Sequence, residues 1–198
     1  MTVSARRLKS STLLAIVVVS GLTLLAWTQI WFTVTVSGTD TATPSLSVAG
    51  SVAAPALSAL SLAGLALVAA LAISGPVLRM LFGVLEMALG AGVAVSSLLA
   101  IGSPVAASAS AVTKATGLSG EASVAHLVTS VGQSAWPWVA VALGVLSALL
   151  GLIVLVTTRR WPGSTGRYQA MNPTERRDSR NRVSDWDELS GGSDPTSR

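Results

Sequence analysis

The sequence predicts an all-α membrane protein, a bundle of four transmembrane helices with a small outer β-hairpin and a disordered cytosolic tail. Four apolar segments are each long enough to cross a bilayer, and the arginines and lysines lie almost entirely on one side of the alternation that those segments create. The composition agrees, since 51% of the 198 residues are hydrophobic, 11% are charged and the mean hydropathy is +0.64. Such a chain has too little polar surface to coat a soluble globule.

The four predicted spans are residues 11–31, 55–74, 76–101 and 136–158. A helix rises about 1.5 Å per residue, so roughly 20 apolar residues cross a hydrocarbon core about 30 Å thick. The segments are apolar nearly all round, and they do not alternate as the strands of a membrane barrel do. Because lipid offers a backbone amide no hydrogen-bond partner, each segment is predicted to be a helix.

The basic residues predict the orientation of the chain. They precede the first span, flank the turn between the second and third, and follow the fourth: Arg6, Arg7, Lys9, Arg79, Arg159, Arg160 and Arg167. The two loops on the other side, residues 32–54 and 102–135, contain one basic residue, Lys114. Cytoplasmic segments carry the Lys/Arg excess, so residues 1–10 and 159–198 are predicted to be cytosolic and the protein to lie in the plasma membrane.

Two alternative interpretations of the sequence, one of topology and one of function, are disfavoured. The first apolar region is longer than that of a cleaved signal peptide and no clear A-x-A site ends it, so it is interpreted as an uncleaved anchor. The isoelectric point of about 10.7 is explained by the basic flanks of the spans, and therefore nucleic-acid binding is not predicted.

The two outer loops have different patterns. Residues 32–36 and 45–48 alternate apolar or branched residues with small hydroxyl residues, and Gly38, Asp40 and Pro44 lie between them, which predicts a hairpin. In the second outer loop, Ser103 followed by Pro104 is typical of a helix start. One or two short surface helices, broken near Gly117 and Gly120, are predicted there.

The tail, residues 159–198, changes to Arg, Asp, Ser, Gly and Pro with few large apolar residues. It cannot bury enough surface to fold alone and is predicted to be disordered. Trp186 and Leu189 lie three positions apart among acidic residues and would share one face of a helical turn. A short docking motif and an ordinary disordered tail are equally compatible with this pattern.

Glu86 is the only acidic residue inside a predicted span. A charged carboxyl at membrane depth costs several kcal/mol, so such groups are usually neutralised or paired and face protein. Arg79 lies seven residues earlier, about two turns away on much the same helix face. A packing or snorkelling carboxyl is the favoured interpretation, and a proton relay or substrate contact is the alternative. Nearby glycines, Gly83, Gly90 and Gly92, predict close helix packing.

Tryptophans mark the predicted ends of the spans. Trp27, Trp31, Trp136 and Trp138 fall at the outer ends and Trp161 at the inner end. Tryptophan prefers the headgroup zone, where its ring is half buried and its N–H is wet, so all five are predicted to be interface anchors.

No catalytic residue, metal site or cofactor is predicted. The chain has no cysteine, which excludes disulfides and thiolate sites. His126 is the single histidine, and only Glu121 lies nearby, which is too few ligands for zinc. No Ser, His and Asp set or in-span aspartate pair indicates a hydrolase.

Three groups of residues resemble the tryptophan-associated transmembrane protein family of bacteria. Residues 135–138, Ala-Trp-Pro-Trp, open the last span, and Arg160, Trp161, Pro162, Arg167 and Tyr168 close it. Residues 186–189, Trp-Asp-Glu-Leu, lead to Asp194, Pro195 and Thr196. The resemblance covers nearly the full chain and implies a membrane location and a link to tryptophan metabolism, without any catalytic residue. Ser190, Gly191 and Ser193 depart from the charged residues common at those places in the family.

Two hypotheses of function follow. The first is a non-enzymatic accessory protein that, besides the lipid bilayer, contacts protein partners through its outer loops or tail. The alternative is a small carrier for an aromatic or amphipathic solute with Glu86 as its polar group. Four spans are few for a transporter and no inverted repeat is visible, so a carrier of this kind would need to form a homo-oligomer.

Overall fold

The computed structural model describes residues 5–36, 45–117 and 125–158. Its elements in chain order are α1 (Ala5–Thr28), β1 (Ile30–Val36), β2 (Ser45–Ala49), α2 (Gly50–Ala53), α3 (Ala56–Ile73), α4 (Pro76–Gly102), α5 (Pro104–Thr116), β3 (Val128–Gln133) and α6 (Trp136–Thr157). Four of the described helices, α1, α3, α4 and α6, are long and apolar enough to cross a membrane. The predicted four-helix membrane protein is confirmed. Trp161, Trp186, Leu189 and the predicted disordered tail lie outside the described residues.

The four long helices bury only one stripe each against protein. Between 28% and 39% of each span is buried inside the protein, so most of each helix surface is left for lipid. Ile16, Leu67, Leu71 and Val154 belong to one buried cluster, which extends toward the C-terminal ends of α3 and α6. Large apolar side chains such as Leu99 lie on the outside. This distribution is expected where the surrounding solvent is hydrocarbon.

At the end of the bundle where α1 ends and α6 begins lies an antiparallel sheet with the strand order β2-β1-β3. The predicted hairpin is present as β1 and β2, with Thr33 opposite Ser47 and Val34 opposite Leu46. The third strand, β3, pairs with the other side of β1 and was not predicted from the sequence.

Alternation along β1 separates the two faces of this sheet. Phe32, Val34 and Val36 are buried, whereas Thr33 is exposed and Thr35 is partly exposed. The period of two follows from the pleat of a strand, and it places a hydroxyl face toward the outside. The sheet therefore packs one apolar face inward, as a half-buried antiparallel sheet should.

The sheet and the membrane helices share one hydrophobic core. Trp31, Phe32 and Val34 from β1 cluster with Val112 of α5 and with helix residues that include Ala26, Leu57, Val93 and Ala140. The helix α5 ends at Gly117, whose φ of 73° is the left-handed conformation that glycine adopts most readily at a helix C-terminus. An isolated hairpin is marginal in water, so this shared core is what stabilises the outer layer, defined here as β1, β2, β3, α2 and α5.

Candidate polar site inside the bundle

Glu86 lies near the middle of α4 and points into the bundle, where only 1% of the residue is exposed. The hydroxyl of Ser147, on α6, donates a hydrogen bond to Glu86 Oε1 at 2.7 Å. Glu86 Oε2 is buried and accepts no hydrogen bond from any residue of the described ranges. A buried polar atom without a hydrogen-bond partner is costly, so Glu86 Oε2 is a candidate for a functional atom.

A small cavity lies on the far side of Gly64, close to the carboxyl. Its volume is about 10 Å³, which is room for about one water molecule. Every transmembrane helix contributes to its wall, and hydroxyl groups alternate there with apolar side chains: Val19, Ser20, Thr23, Leu60, Ser61, Gly64, Leu89, Val93 and Ser147.

Most of the hydroxyl groups that line this cavity already donate their proton in a hydrogen bond. Ser61 Oγ donates to the carbonyl of Leu57 at 2.7 Å, and Thr23 Oγ1 donates to the carbonyl of Val19 at 2.8 Å. Ser147 donates to Glu86. A hydroxyl has one proton and two lone pairs, so these three side chains can offer only lone pairs to whatever occupies the cavity.

The missing side chain of Gly64 keeps this space open. A Cβ at residue 64 would lie 2.8 Å from Ser20 Oγ and 3.9 Å from Glu86 Oε2. The carboxyl of α4 and the hydroxyl of α1 therefore face each other across the surface of α3, at the point where α3 has no side chain. The arrangement has room for one water-sized polar molecule in contact with hydroxyl oxygens.

Arg79 lies near the N-terminal end of the same helix and has a different partner. Its Nη2 donates to the carbonyl of Ser74 at 2.9 Å, and Lys9 Nζ donates to the carbonyl of Ala72 at 2.8 Å. Both carbonyls belong to the C-terminal end of α3, where the helix dipole and unpaired carbonyls favour cations. The structure thus places Arg79 at the end of α3, while Glu86 lies deeper against α6.

The helices α4 and α6 approach each other through glycines on both sides. A Cβ at Gly90 would lie 2.7 Å from the carbonyl oxygen of Gly144, and one at Gly151 would lie 2.5 Å from the amide nitrogen of Met87. Such contacts bring backbone against backbone, as in other small-residue membrane interfaces. This close approach lets the short side chain of Ser147 reach Glu86.

The described tryptophans have different surroundings. Trp138 is 56% exposed, and Trp27 and Trp136 are partly buried. Trp31 is fully buried, and its Nε1 donates to the carbonyl of Ala26 at 2.8 Å, so it serves the core of the outer layer. Anchoring at the membrane interface stays a prediction for the tryptophans, and Trp161 lies outside the described residues.

The sequence identified Glu86 as a candidate site residue but did not predict which hydroxyl side chains lie near it. Ser20, Ser61, Gly64 and Ser147 carry a weak signal, because they are small or hydroxyl residues within three of the apolar spans. His126 is exposed, and the described residues contain no group of three His, Cys, Asp or Glu placed to hold a metal.

These observations define a multi-pass membrane protein with a four-helix bundle, an outer layer and one polar site at mid-depth. The model of the tryptophan-associated transmembrane protein family matches residues 13–196, and the chain belongs to that family. No curated protein and no solved structure matches it.

Proposed function

We propose that this protein is a non-enzymatic accessory protein of the plasma membrane, linked to tryptophan biosynthesis, with both termini in the cytosol and protein partners at its outer layer or tail. The observation that carries the proposal is the outer layer itself. It is a folded structure that shares its core with the helix ends, and its outward face is polar. A surface of this kind, held rigidly above the bilayer, is suited to contact with another protein.

The exposed face of the sheet supports a protein partner. Thr33, Ser47 and Ser130 are exposed on its three strands, and β2 and β3 are the edges of an open sheet. Edge strands present unpaired N–H and C=O groups that can add a strand from another chain. The face carries hydroxyls without formal charge, so hydrogen bonding rather than charge attraction would dominate such a contact.

The carrier hypothesis has less support. Glu86 is a polar group in the membrane, which is the feature that a carrier requires. The cavity beside it has about 10 Å³, whereas pockets for small molecules usually have about 300–1,000 Å³. An indole ring does not fit there, so an aromatic solute would need a second conformation in which the helices separate.

The orientation is tested with single cysteines, because the chain has none of its own. A cysteine at Ser47, exposed on β2, is expected to react with a membrane-impermeant maleimide in intact cells. A cysteine at Gly75, in the turn between α3 and α4, is expected to react only after permeabilisation, since Lys9 and Arg79 lie at that end of the bundle. The reverse labelling pattern would contradict the proposed topology.

The partner is tested by photocrosslinking in living cells. A photoreactive amino acid at Thr33 or at Ser130 is expected to give an adduct with the same second protein, because both positions lie on one exposed face. Leu99, which is exposed on α4, serves as the control and should give no such adduct. If neither the sheet positions nor Trp186 in the tail captures a partner, while Glu86→Gln lowers tryptophan efflux, the carrier hypothesis is the better one.

A further inference from the structure

We propose that the cleft between β2 and α5 binds an extended segment of a partner protein that carries a carboxylate beside an apolar side chain, an inference that rests on the protein partner proposed above. The cleft has a volume of about 400 Å³. Pockets for ligands usually have about 300–1,000 Å³, so this one is at the lower end of the range. It has room for a few residues of an extended chain.

The cleft follows the edge of β2. Leu46 and Ser47 both line it, although they are neighbours in the strand. Neighbouring side chains of a strand point to opposite faces, and here Leu46 is partly buried while Ser47 is exposed. A cleft that contacts both residues therefore lies beside the strand, not over one face. Among the described strands β2 pairs only with β1, and no described residue of β1 lines the cleft.

An open strand edge that faces a helix can accept an extended peptide. The N–H and C=O groups on the open side of β2 can pair with a second backbone, which gives affinity that depends little on sequence. The helix α5 supplies the opposite wall through Ser110, Lys114 and two alanines, and Val52 of α2 adds apolar surface. Alternate side chains of an added strand would meet this apolar wall, which favours valine or leucine there.

Lys114 determines which charge the cleft prefers. It is exposed, and it is the one charged side chain among the described residues of the outer layer. A lysine in the last turn of a helix also interacts favourably with the helix dipole, wherever its side chain lies. What points to a ligand is that this single cation lines the mainly apolar cleft at the open strand edge. The complementary group on a partner is a carboxylate, whereas a basic group would be repelled.

The binding test uses the full-length protein in phosphatidylcholine nanodiscs and the fluorescent peptide Thr-Val-Thr-Val-Asp-Val-Thr, followed by fluorescence anisotropy. The peptide is expected to bind about fivefold more tightly than its counterpart with lysine in place of aspartate, the upper end for a solvent-exposed ion pair. A third peptide has proline in place of the middle valine. It should lose most of the affinity, because proline has no N–H for pairing with a strand.

Charge reversal at Lys114 connects the preference to the cleft. Because Lys114 is exposed, Lys114→Glu is expected to leave the fold intact. The variant should bind the lysine peptide more tightly than the aspartate peptide, by about the same factor. Ser130→Glu is the control, since it adds an acidic charge to an exposed position of the opposite edge strand, β3. It should retain the preference for aspartate.

Four results would overturn the proposal. The first is a wild-type protein that binds none of the peptides. The second is equal binding of the aspartate and lysine peptides, or an unchanged preference in Lys114→Glu, since Lys114 would then not select the ligand. The third is undiminished binding of the proline peptide, which would mean that the ligand is not added as a strand. The fourth is displacement of the aspartate peptide by phosphatidylglycerol in the nanodisc, which would make the cleft a site for anionic headgroups.

Photocrosslinking in cells distinguishes a failure of this inference from a failure of the proposed function. A photoreactive amino acid at Ser110, in the α5 wall, is expected to capture the same partner as one at Thr33, and Lys114→Glu should reduce both adducts. If the Thr33 adduct is as strong in Lys114→Glu as in the wild type, the partner contacts the outer layer without using the cleft. If no position captures a partner while the peptides bind as expected, the cleft is real and the accessory role fails.

Discussion

Replacing Gly90 with alanine is expected to lower the free energy of unfolding of the bundle by about 3 kcal/mol, the upper end of the usual cost of overpacking. The added methyl would overlap the amide nitrogen of Ala148 and would lie 2.7 Å from the carbonyl oxygen of Gly144. Both obstacles are backbone atoms of α6, which cannot rotate away as a side chain can. The two helices would therefore have to separate along the length of their contact.

Separation of α4 from α6 has consequences beyond this one contact. At the next turns of the interface, a Cβ at Gly144 would lie 2.6 Å from the amide nitrogen of Ala94, so the same close approach recurs along the pair. The hydrogen bond from Ser147 to Glu86 depends on it. We therefore expect Gly90→Ala also to expose the carboxyl of Glu86. Its reaction with dicyclohexylcarbodiimide, a reagent that modifies protonated carboxyls, should then be faster than in the wild type.

Gly21→Ala is the matched control for Gly90→Ala. It also adds a methyl to a glycine within a transmembrane helix, but no atom lies within 4 Å of the new Cβ. Its free energy of unfolding should equal that of the wild type or be slightly larger, because alanine favours helices. Both variants are compared by unfolding in mixed micelles with increasing dodecyl sulfate, followed by tryptophan fluorescence. Equal stability of the two variants would contradict the close α4–α6 contact.

The bundle was predictable because lipid imposes a simple requirement on the chain. A segment that crosses hydrocarbon must be long, apolar and helical, and these properties can be read from 20 residues at a time. Gly83 and Gly90 could likewise be identified as places of close approach. The identity of the opposing helix could not, since small residues occur in several spans and their pairing depends on the packing of the whole bundle.

The polar site was predictable only in part. Glu86 was recognisable because a carboxyl inside a span is rare. Ser147 was not, because a serine in an apolar helix commonly donates to its own backbone four residues earlier, as Ser61 and Ser97 do here. Only the contact between α4 and α6 shows that Ser147 donates across helices instead.

The outer sheet was also predictable only in part from the sequence. The alternation of residues 32–36 and 45–48 predicted the hairpin, but β3 was missed. Its sequence, Val-Thr-Ser-Val-Gly-Gln, is short, and both of its valines are only partly buried. It becomes a strand by pairing with β1, with Val131 opposite Val34, and such long-range pairing has no local signal.

Trp31 lies at the junction between this sheet and the membrane helices and contacts residues on both sides of it. Its ring is completely buried, and its Nε1 donates to the carbonyl of Ala26 at the end of α1. Gly50 of α2 lies directly against the ring, since a Cβ there would be 2.6 Å from Trp31 Nε1. The carbonyl of Trp31 accepts a hydrogen bond from the amide of Ser134, just before α6. Trp31 therefore contacts α1, α2 and the segment that leads into α6.

Trp31→Ala is expected to cost about 3–5 kcal/mol, mainly because it leaves a large cavity. It also removes one of the two donors to the Ala26 carbonyl, which keeps its hydrogen bond from the Gln29 amide. The loss should concentrate in the outer layer, since the buried stripe around Leu71 and Val154 lies in the other half of the bundle. Limited proteolysis should then cut the outer layer faster while the spans remain protected by detergent. Trp138→Ala is the control, because Trp138 is 56% exposed and its removal should change stability by less than about 1 kcal/mol. If both variants resist protease equally, the junction does not depend on the indole of Trp31, and the outer layer must be held by the remaining contacts of Phe32 and Val34.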